Sequence, residues 1–459
     1  MSGSPRPGRK SLHGHWSSRF AFVLAVTGSA VGLGNIWRFP YIAGENGGGA
    51  FVLVYLVCVF AVGLPLMMSE VLIGRRGRRN PVATMRALGE EECGMTQWKW
   101  VGGMGVVCGV LILSFYSIVA GWAIAYIFKA GLGTFKGADA TAIDAAFETF
   151  TADPLVVGAW HTVFMILCVF VVARGVERGL EQAVRILMPA LVALLLVLLG
   201  YSMTEGAFQE GKDFLFEPRF SELTSTGILE ALGHAFFTLS VGMGAVMAYG
   251  AYLPEDTPIG PMSMAVVVAD TAIALLAALV IFPIVFANGM DPAEGPGLVF
   301  QTLPVAFGRM PGGVIIATIF FLLLTFAAWT SGISLMEPAV AWLIESVEVS
   351  RMQAAVSIGV VIWALGFPSV LSLGPWSGIR LFGQDIFDNV GFLTNNIMLP
   401  LGGLAIVVFA GWFMAQNSTA DELDPRAGVV YKLWRLAVRF VAPLAIIVVL
   451  LAALGVFAE

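Results

Sequence analysis

Eleven stretches of this chain stay apolar for about the 20 residues that a helix needs to cross a hydrocarbon layer. Their recurrence limits the possible folds more than any other feature. They run near residues 20 to 44, 48 to 73, 98 to 129, 155 to 173 and 180 to 202, then 228 to 253, 260 to 288, 312 to 344, 352 to 372 and 388 to 415, with a last one near 432 to 457. Charged residues make up only 12% of the 459 residues against 58% hydrophobic ones, where a soluble domain carries about 25% charge. Mean hydropathy is +0.86. No soluble core could enclose that much apolar surface, so the chain reads as an all-α polytopic membrane protein. The longest runs exceed a perpendicular crossing and imply tilt or extension beyond the bilayer. No low-complexity linker interrupts them, and residues 1–459 are expected to form a single transmembrane domain.

Basic residues set the orientation. Arg6, Arg9 and Lys10 precede the first run, the next loop on that side reads GRRGRRNPVATMR, and Arg174, Arg178 and Arg185 follow the fourth run. These sides are expected to be cytoplasmic, while the acid-rich segments 131–153 and 203–226 face outward. Eleven crossings then put the N-terminus in the cytoplasm and the C-terminus outside, across a plasma membrane, the inner membrane in a bacterium. No small-residue cleavage site follows the basic start, so the first run reads as an uncleaved helix. Cys58, Cys93, Cys108 and Cys168 lie mostly within apolar runs, which argues against a disulfide framework. His13, His15, His161 and His234 show no metal-ligand spacing. Nucleic-acid signatures and the HExxH and GxSxG motifs are absent, so an enzyme is not expected. The bilayer and a small molecule are the expected partners; oligomeric state is not legible.

Within the first run stands Val31-Gly-Leu-Gly34, and within the sixth, five runs later, stands Val241-Gly-Met-Gly244. A unit of five crossings inverts its second copy. Residues 20–202 and 227–416 are therefore expected to be inverted five-helix repeats with discontinuous first and sixth helices, and 432–457 one extra helix. Interrupted segments at matching positions of two halves point to a transporter site near the bilayer midplane. Each glycine costs a helix interior about 1 kcal/mol against alanine. Unwound backbone persists in a membrane only where protein or a polar cavity satisfies it, so the breaks are expected to hold something. The Asn35 amide beside free carbonyls supplies hard oxygen donors suited to a small cation. Thr330 and Ser331 in the eighth run either bond back to the preceding turn or ligate sodium. Asp270 stands alone in MAVVVADTAIALL, where a carboxylate costs about 2.5 to 3.5 kcal/mol to insert. A bound cation would offset that cost.

The stretches WSSRFAFVLAVTGSAVGLGNIWRFPYIAGENGGGAFVLVY, FFTLSVGMG and FAAWTSGISLMEP resemble the neurotransmitter:sodium symporter family in its bacterial amino-acid-transporter form. The resemblance covers nearly the whole chain and implies sodium-driven symport by alternating access. It places one Na+ among the backbone oxygen of Ala30 and the side chains of Asn35, Thr238 and Asp270, completed by the substrate carboxylate. It places a second among Gly28, Val31, Ala327, Thr330 and Ser331. The implied substrate site comprises Ser29, Ala30, Leu33, Gly34, Ile112, Tyr116, Phe237, Thr238, Ser240, Met243, Ser331 and Leu335. There the substrate carboxylate meets the free amides of Leu33 and Gly34 and the Tyr116 hydroxyl.

Family members that carry monoamines have an aspartate in the place of Gly32, so the resemblance implies an amino acid here. No charged residue occurs in the implied pocket, which favours hydrophobic or aromatic L-amino acids. Met243, where phenylalanine is common in the family, implies a more tolerant pocket. Ala274 and His234 replace a serine and a glutamine of chloride-dependent members, so no chloride requirement is expected, with Asp270 as the fixed negative charge. His234 reads as a neutral, hydrogen-bonded histidine or as a link to protons. Arg38 and Asp388 resemble the outer charged gate, above a lid of Tyr116 and Phe237, and Trp16 resembles part of the inner one. His13 stands where the family's inner-gate arginine usually does, which puts its pairing with an acid such as Glu345 in doubt. Gly179 and Pro189 match a pattern in which the fifth span opens locally and releases the second sodium. Glu70 is expected to be a buried structural carboxylate near the first and sixth spans. An amino-acid-gated channel or sensor on the same fold is the alternative function.

Overall fold

The computed structural model describes residues 14–293, 295–424 and 428–456. His13 and the basic tail before it lie outside the described residues. Among the described residues, nine helices are long and apolar enough to cross a membrane, and a helix pair bent by 53° adds a tenth. The bent pair is the first span, Arg19–Ala30 with Gly34–Glu45. The second to fifth spans are Gly49–Gly77, Thr96–Gly131, Pro154–Val172 and Val176–Glu205. The seventh to tenth are Ile259–Ala287, Gly313–Val347, Arg351–Ser372 and Ile386–Phe413, followed by Val429–Ala453. The sixth apolar run enters neither count because it forms two short helices, Ser225–Thr238 and Ala245–Ala251, around a non-helical stretch.

Local chemistry explains where the first and sixth spans stop. Ser18 starts the first by accepting the Ala21 amide at 3.1 Å, filling one orphan donor of a helix N-terminus. The α-helix ends at Ala30, and Val31 turns to an extended conformation with ψ of 108°. Winding resumes at Gly34 with a wide turn of the π type. In the sixth span Ser240, Gly242 and Gly244 have φ of 53°, 90° and 78°, left-handed values that glycine adopts without penalty. Gly242 also lies against the tenth span: a Cβ there would come within 2.5 Å of the Leu399 carbonyl oxygen.

The sixth-span break leaves amides that no helix satisfies. Glu70 of the second span accepts the Gly242 amide at 2.5 Å and the Met247 amide at 3.1 Å. This is the structural carboxylate anticipated from the sequence, and its bonds go to the sixth span. Around the breaks the third and eighth spans pack along each other, and the first packs on the fifth, seventh and eighth. All four cysteines are free thiols.

Two glycine substitutions separate conformational need from simple presence. Gly242→Ala combines positive φ with a backbone clash and is expected to lower stability by about 1 to 3 kcal/mol in a detergent thermal melt. Gly103→Ala, a helical position with nothing within 4 Å of the added methyl, is expected to raise it by up to about 1 kcal/mol.

Candidate functional site

The two breaks meet. Ser240 Oγ donates to the Ser29 carbonyl at 2.8 Å, so the sixth-span break is bonded directly to the first. From the eighth span, Ser331 Oγ lies 3.1 Å from both the Ser29 and the Val31 carbonyl oxygens. These carbonyls belong to the turn that the helix abandons. Thr330 behaves differently, bonding back to the carbonyls of Phe326 and Ala327 at 3.2 and 3.0 Å. Of the two adjacent hydroxyls, then, one follows the back-bonding reading and the other reaches across to the first span. Gly28 faces the fifth span, where a Cβ would lie 3.3 Å from Val184 and Met188 side-chain atoms.

Next to these carbonyls sits a buried polar triad. Asp270 Oδ1 accepts from Asn35 Nδ2 at 2.7 Å, and Oδ2 accepts from Thr238 Oγ1 at 3.0 Å. Asn35 Oδ1 in turn accepts the Gly32 amide at 3.0 Å, tying the side chain to its own break. All three residues are buried, so three oxygen-bearing side chains from the first, sixth and seventh spans meet in the interior. That donor set suits a hard cation.

A cavity of about 20 Å³ adjoins the triad. Its lining contains every residue of the expected substrate set except Thr238, and adds Gly32. Thr238 stands behind the cavity, turned to Asp270. Tyr116 Oη lies 3.4 Å from the Leu33 amide. A side chain at Gly32 has no room, since its Cβ would be 2.5 Å from Ser331 Oγ and 3.0 Å from Tyr116 Oη. The volume matches about one water, so the walls must part to admit anything larger.

A second cavity of about 460 Å³ lies beyond it, and Leu33, Tyr116 and Phe237 line both, forming the partition between them. Arg38 and Asp388 line this outer cavity. Arg38 stacks 5.1 Å from the centroid of the Phe237 ring, while Asp388 sits in the first turn of the tenth span. Among the described residues no ion pair joins them, although both face the same space. His234, expected as a hydrogen-bonded histidine, is instead packed against Tyr55 and Phe39 at ring distances of 5.5 and 5.9 Å. Neither ring nitrogen has a hydrogen-bond partner among the described residues.

At the opposite end the chain is sealed. Trp16 is buried; its amide donates to the Tyr252 carbonyl at 3.1 Å and its indole to the Tyr249 carbonyl at 3.0 Å. Tyr252 Oη donates to Glu337 at 2.8 Å, and Glu337 is paired with Arg351 at 2.5 Å. Arg351 Nε also donates to the Val172 carbonyl at 2.8 Å. Glu345 accepts the Asn80 amide at 2.7 Å. Neighbouring Ser17 bonds through its amide and hydroxyl to Glu181, which is paired with Arg185 at 2.7 Å. Glu181 belongs to the π-type turn Val176–Glu181 that contains Gly179. From Gly179 to Pro189 the fifth span is helical throughout.

Sequence reasoning missed Glu337, Arg351, Ser17 and Glu181. Glu337 is a carboxylate inside the eighth apolar run and Glu181 one at the start of the fifth, a signal that could have marked them as buried, but nothing local names Tyr252 or Ser17, their partners far along the chain.

Residues 13–136 and 154–459 match the Sodium:neurotransmitter symporter family. The chain is 38% identical over 444 residues to the sodium-dependent transporter YhdH of Bacillus subtilis, covering 96% of this chain and 98% of that protein. A sodium-dependent transporter of Haemophilus influenzae is 33% identical over 441 residues, covering 95% and 96%. The fold matches the crystal structure of MhsT in complex with L-phenylalanine with a TM-score of 0.88 and 44% identity, over 96% of this chain and 99% of that one. The chain belongs to the Sodium:neurotransmitter symporter family; it is a multi-pass membrane protein and a sodium-dependent transporter, not an enzyme.

Removing one member of a buried ion pair costs about 3 to 5 kcal/mol. Glu337→Ala is therefore expected to lower the thermal midpoint strongly and to expose Trp16, read as faster quenching of its fluorescence by a soluble quencher.

Proposed function

We propose that this protein is a sodium-coupled symporter of hydrophobic or aromatic L-amino acids that works by alternating access. The observation that carries the reading is the central cavity: both broken spans wall it, its other lining side chains are apolar or hydroxylic, and among the described residues no charged one lines it. An ionic side chain there would be buried without a partner, at high cost. The likeness to a structure of MhsT holding L-phenylalanine supports the same substrate class.

In this reading the substrate carboxylate lies by the Leu33 and Gly34 amides and Tyr116, where exposed helix-terminal amides favour an anion. Ser29, Ala30, Phe237, Thr238 and Ser240 offer oxygens to its ammonium group. Its side chain spreads Ile112, Met243, Ser331 and Leu335 apart. Ala30, Asn35, Thr238 and Asp270 hold the first sodium together with the substrate carboxylate. Gly28, Val31, Ala327, Thr330 and Ser331 hold the second, the Ser331 hydroxyl rotating off the Val31 carbonyl as the ion arrives. Coupling follows because one sodium site lacks a ligand until the substrate binds. The crowding at Gly32 supports an amino acid over an amine, since no protein carboxylate fits where the substrate's own must go.

Eleven crossings, with the sixth built from two half-helices, form inverted repeats over 20–202 and 227–416 plus the helix at 432–457. The Trp16 end is cytoplasmic, and the C-terminus lies outside, across a bacterial inner membrane. Arg38 and Asp388 close over Tyr116 and Phe237 once substrate is bound. On the other side Trp16 withdraws, and the fifth span opens between Gly179 and Pro189 to hydrate the second sodium. The carboxylate of Asp270 supplies fixed charge that removes the need for chloride.

The test is uptake of radiolabelled L-phenylalanine into proteoliposomes under an inward sodium gradient, with each of the twenty amino acids as competitor. Accumulation above the external concentration, competed best by apolar and aromatic amino acids, is expected; equilibration without accumulation would make the protein a channel or sensor. Replacing chloride by gluconate is expected to leave uptake unchanged, and a collapse would refute the role given to Asp270. Ser331→Ala and Asp270→Asn are each expected to raise the sodium concentration for half-maximal uptake by at least about tenfold.

A further inference from the structure

A cavity of about 650 Å³ shares no lining residue with the central site. It opens between the fourth span, Pro154–Val172, and the ninth, Arg351–Ser372. Met165, Val169, Val356 and Gly359 line its walls. Trp363 also lines it, its indole donating to Thr162 at 2.8 Å and its ring packed on Phe367. Ile166 is 61% exposed and Val360 56% exposed, and in a membrane-spanning bundle such a face meets lipid tails rather than water.

Two features set this groove apart from an ordinary lipid-facing helix surface. It is concave, with a volume in the range of about 300 to 1,000 Å³ typical of small-molecule sites. It also ends at a charge. Arg174, just past the fourth span, lines the groove, and its guanidinium lies 3.8 Å from the centroid of the Phe170 ring. Among the described residues no carboxylate forms an ion pair with Arg174, while Glu177 and Arg178 of the same connection are both exposed. An apolar groove ending in an unpaired arginine at the membrane boundary matches an amphiphile with an acyl chain and an anionic head. A second copy docked here about a two-fold axis would bring Arg174 of one copy toward the like charge of the other.

We propose that the groove between the fourth and ninth spans binds one anionic phospholipid, with an acyl chain along Met165, Val169, Val356 and Gly359 and the phosphate on Arg174. The site lies outside the transport machinery, and its occupancy is independent of which amino acid is carried. Gly179 of the fifth span is close by, since a Cβ on it would lie 3.1 Å from the Arg174 Cβ.

The full chain, reconstituted in vesicles of equal phosphatidylglycerol and phosphatidylcholine, is labelled with a photoreactive analogue of either lipid and mapped by peptide mass spectrometry. Phosphatidylglycerol is expected to label fourth- and ninth-span peptides in preference to phosphatidylcholine. Arg174→Gln should reduce that preference about fivefold, and Val360→Trp, which fills the groove, should remove labelling of these peptides by both lipids. Thermal midpoints of both variants are expected to match the parent. If Val360→Trp does not fold, Arg174→Gln, a surface change, still decides. Equal labelling by both lipids in the parent protein, a preference untouched by Arg174→Gln, or a dimer cross-linked through these spans with no lipid label would each overturn the proposal.

Discussion

A helix broken inside a hydrocarbon layer presents amides and carbonyls to a medium with no water to bond them, and the architecture of this protein depends on how those groups are satisfied. The sixth-span amides at Gly242 and Met247 go to one carboxylate, Glu70. The first-span carbonyls at Ser29 and Val31 take hydroxyls from Ser240 and Ser331. Each break is therefore completed by side chains from other spans. The first, second, sixth and eighth spans are tied to one another by the bonds that complete the breaks.

In the proposed reading the same constraint creates the binding capacity. Carbonyls held by hydroxyls are interchangeable with carbonyls held by a cation, because both present positive charge to the oxygen. Asp270 sits at the end of this set, its two oxygens already shared between Asn35 and Thr238. Under the proposed function, a site assembled from such bonds is ordered before an ion arrives, and binding does not pay the full cost of ordering loose groups.

The two ends of the chain's central path are closed by unlike means. Toward Arg38 the partition is a layer of Leu33, Tyr116 and Phe237 below an open cavity. Toward Trp16 it is a network of directional bonds through Tyr249, Tyr252, Glu337 and Arg351. Ser17, next to Trp16, ties that network to Glu181 in the fifth span.

Much was legible in the sequence because it is local. Runs of apolar residues at bilayer length, the Gly-x-Gly interruptions and the isolated Asp270 each carry their physical meaning in a few adjacent residues. The lining implied by the family resemblance, drawn from the first, third, sixth and eighth runs, surrounds one cavity, Thr238 excepted. Other features depended on partners far apart in the chain. Whether Thr330 or Ser331 would turn toward the first span, whether His234 would find a hydrogen bond, and which base would meet Glu337 are questions of packing distance, which sequence spacing does not encode. The amino-acid order determined a membrane bundle with two weak points and the polar groups to repair them. Only tertiary structure decided which group repairs which, because a buried polar atom bonds to whatever the packing brings within about 3 Å.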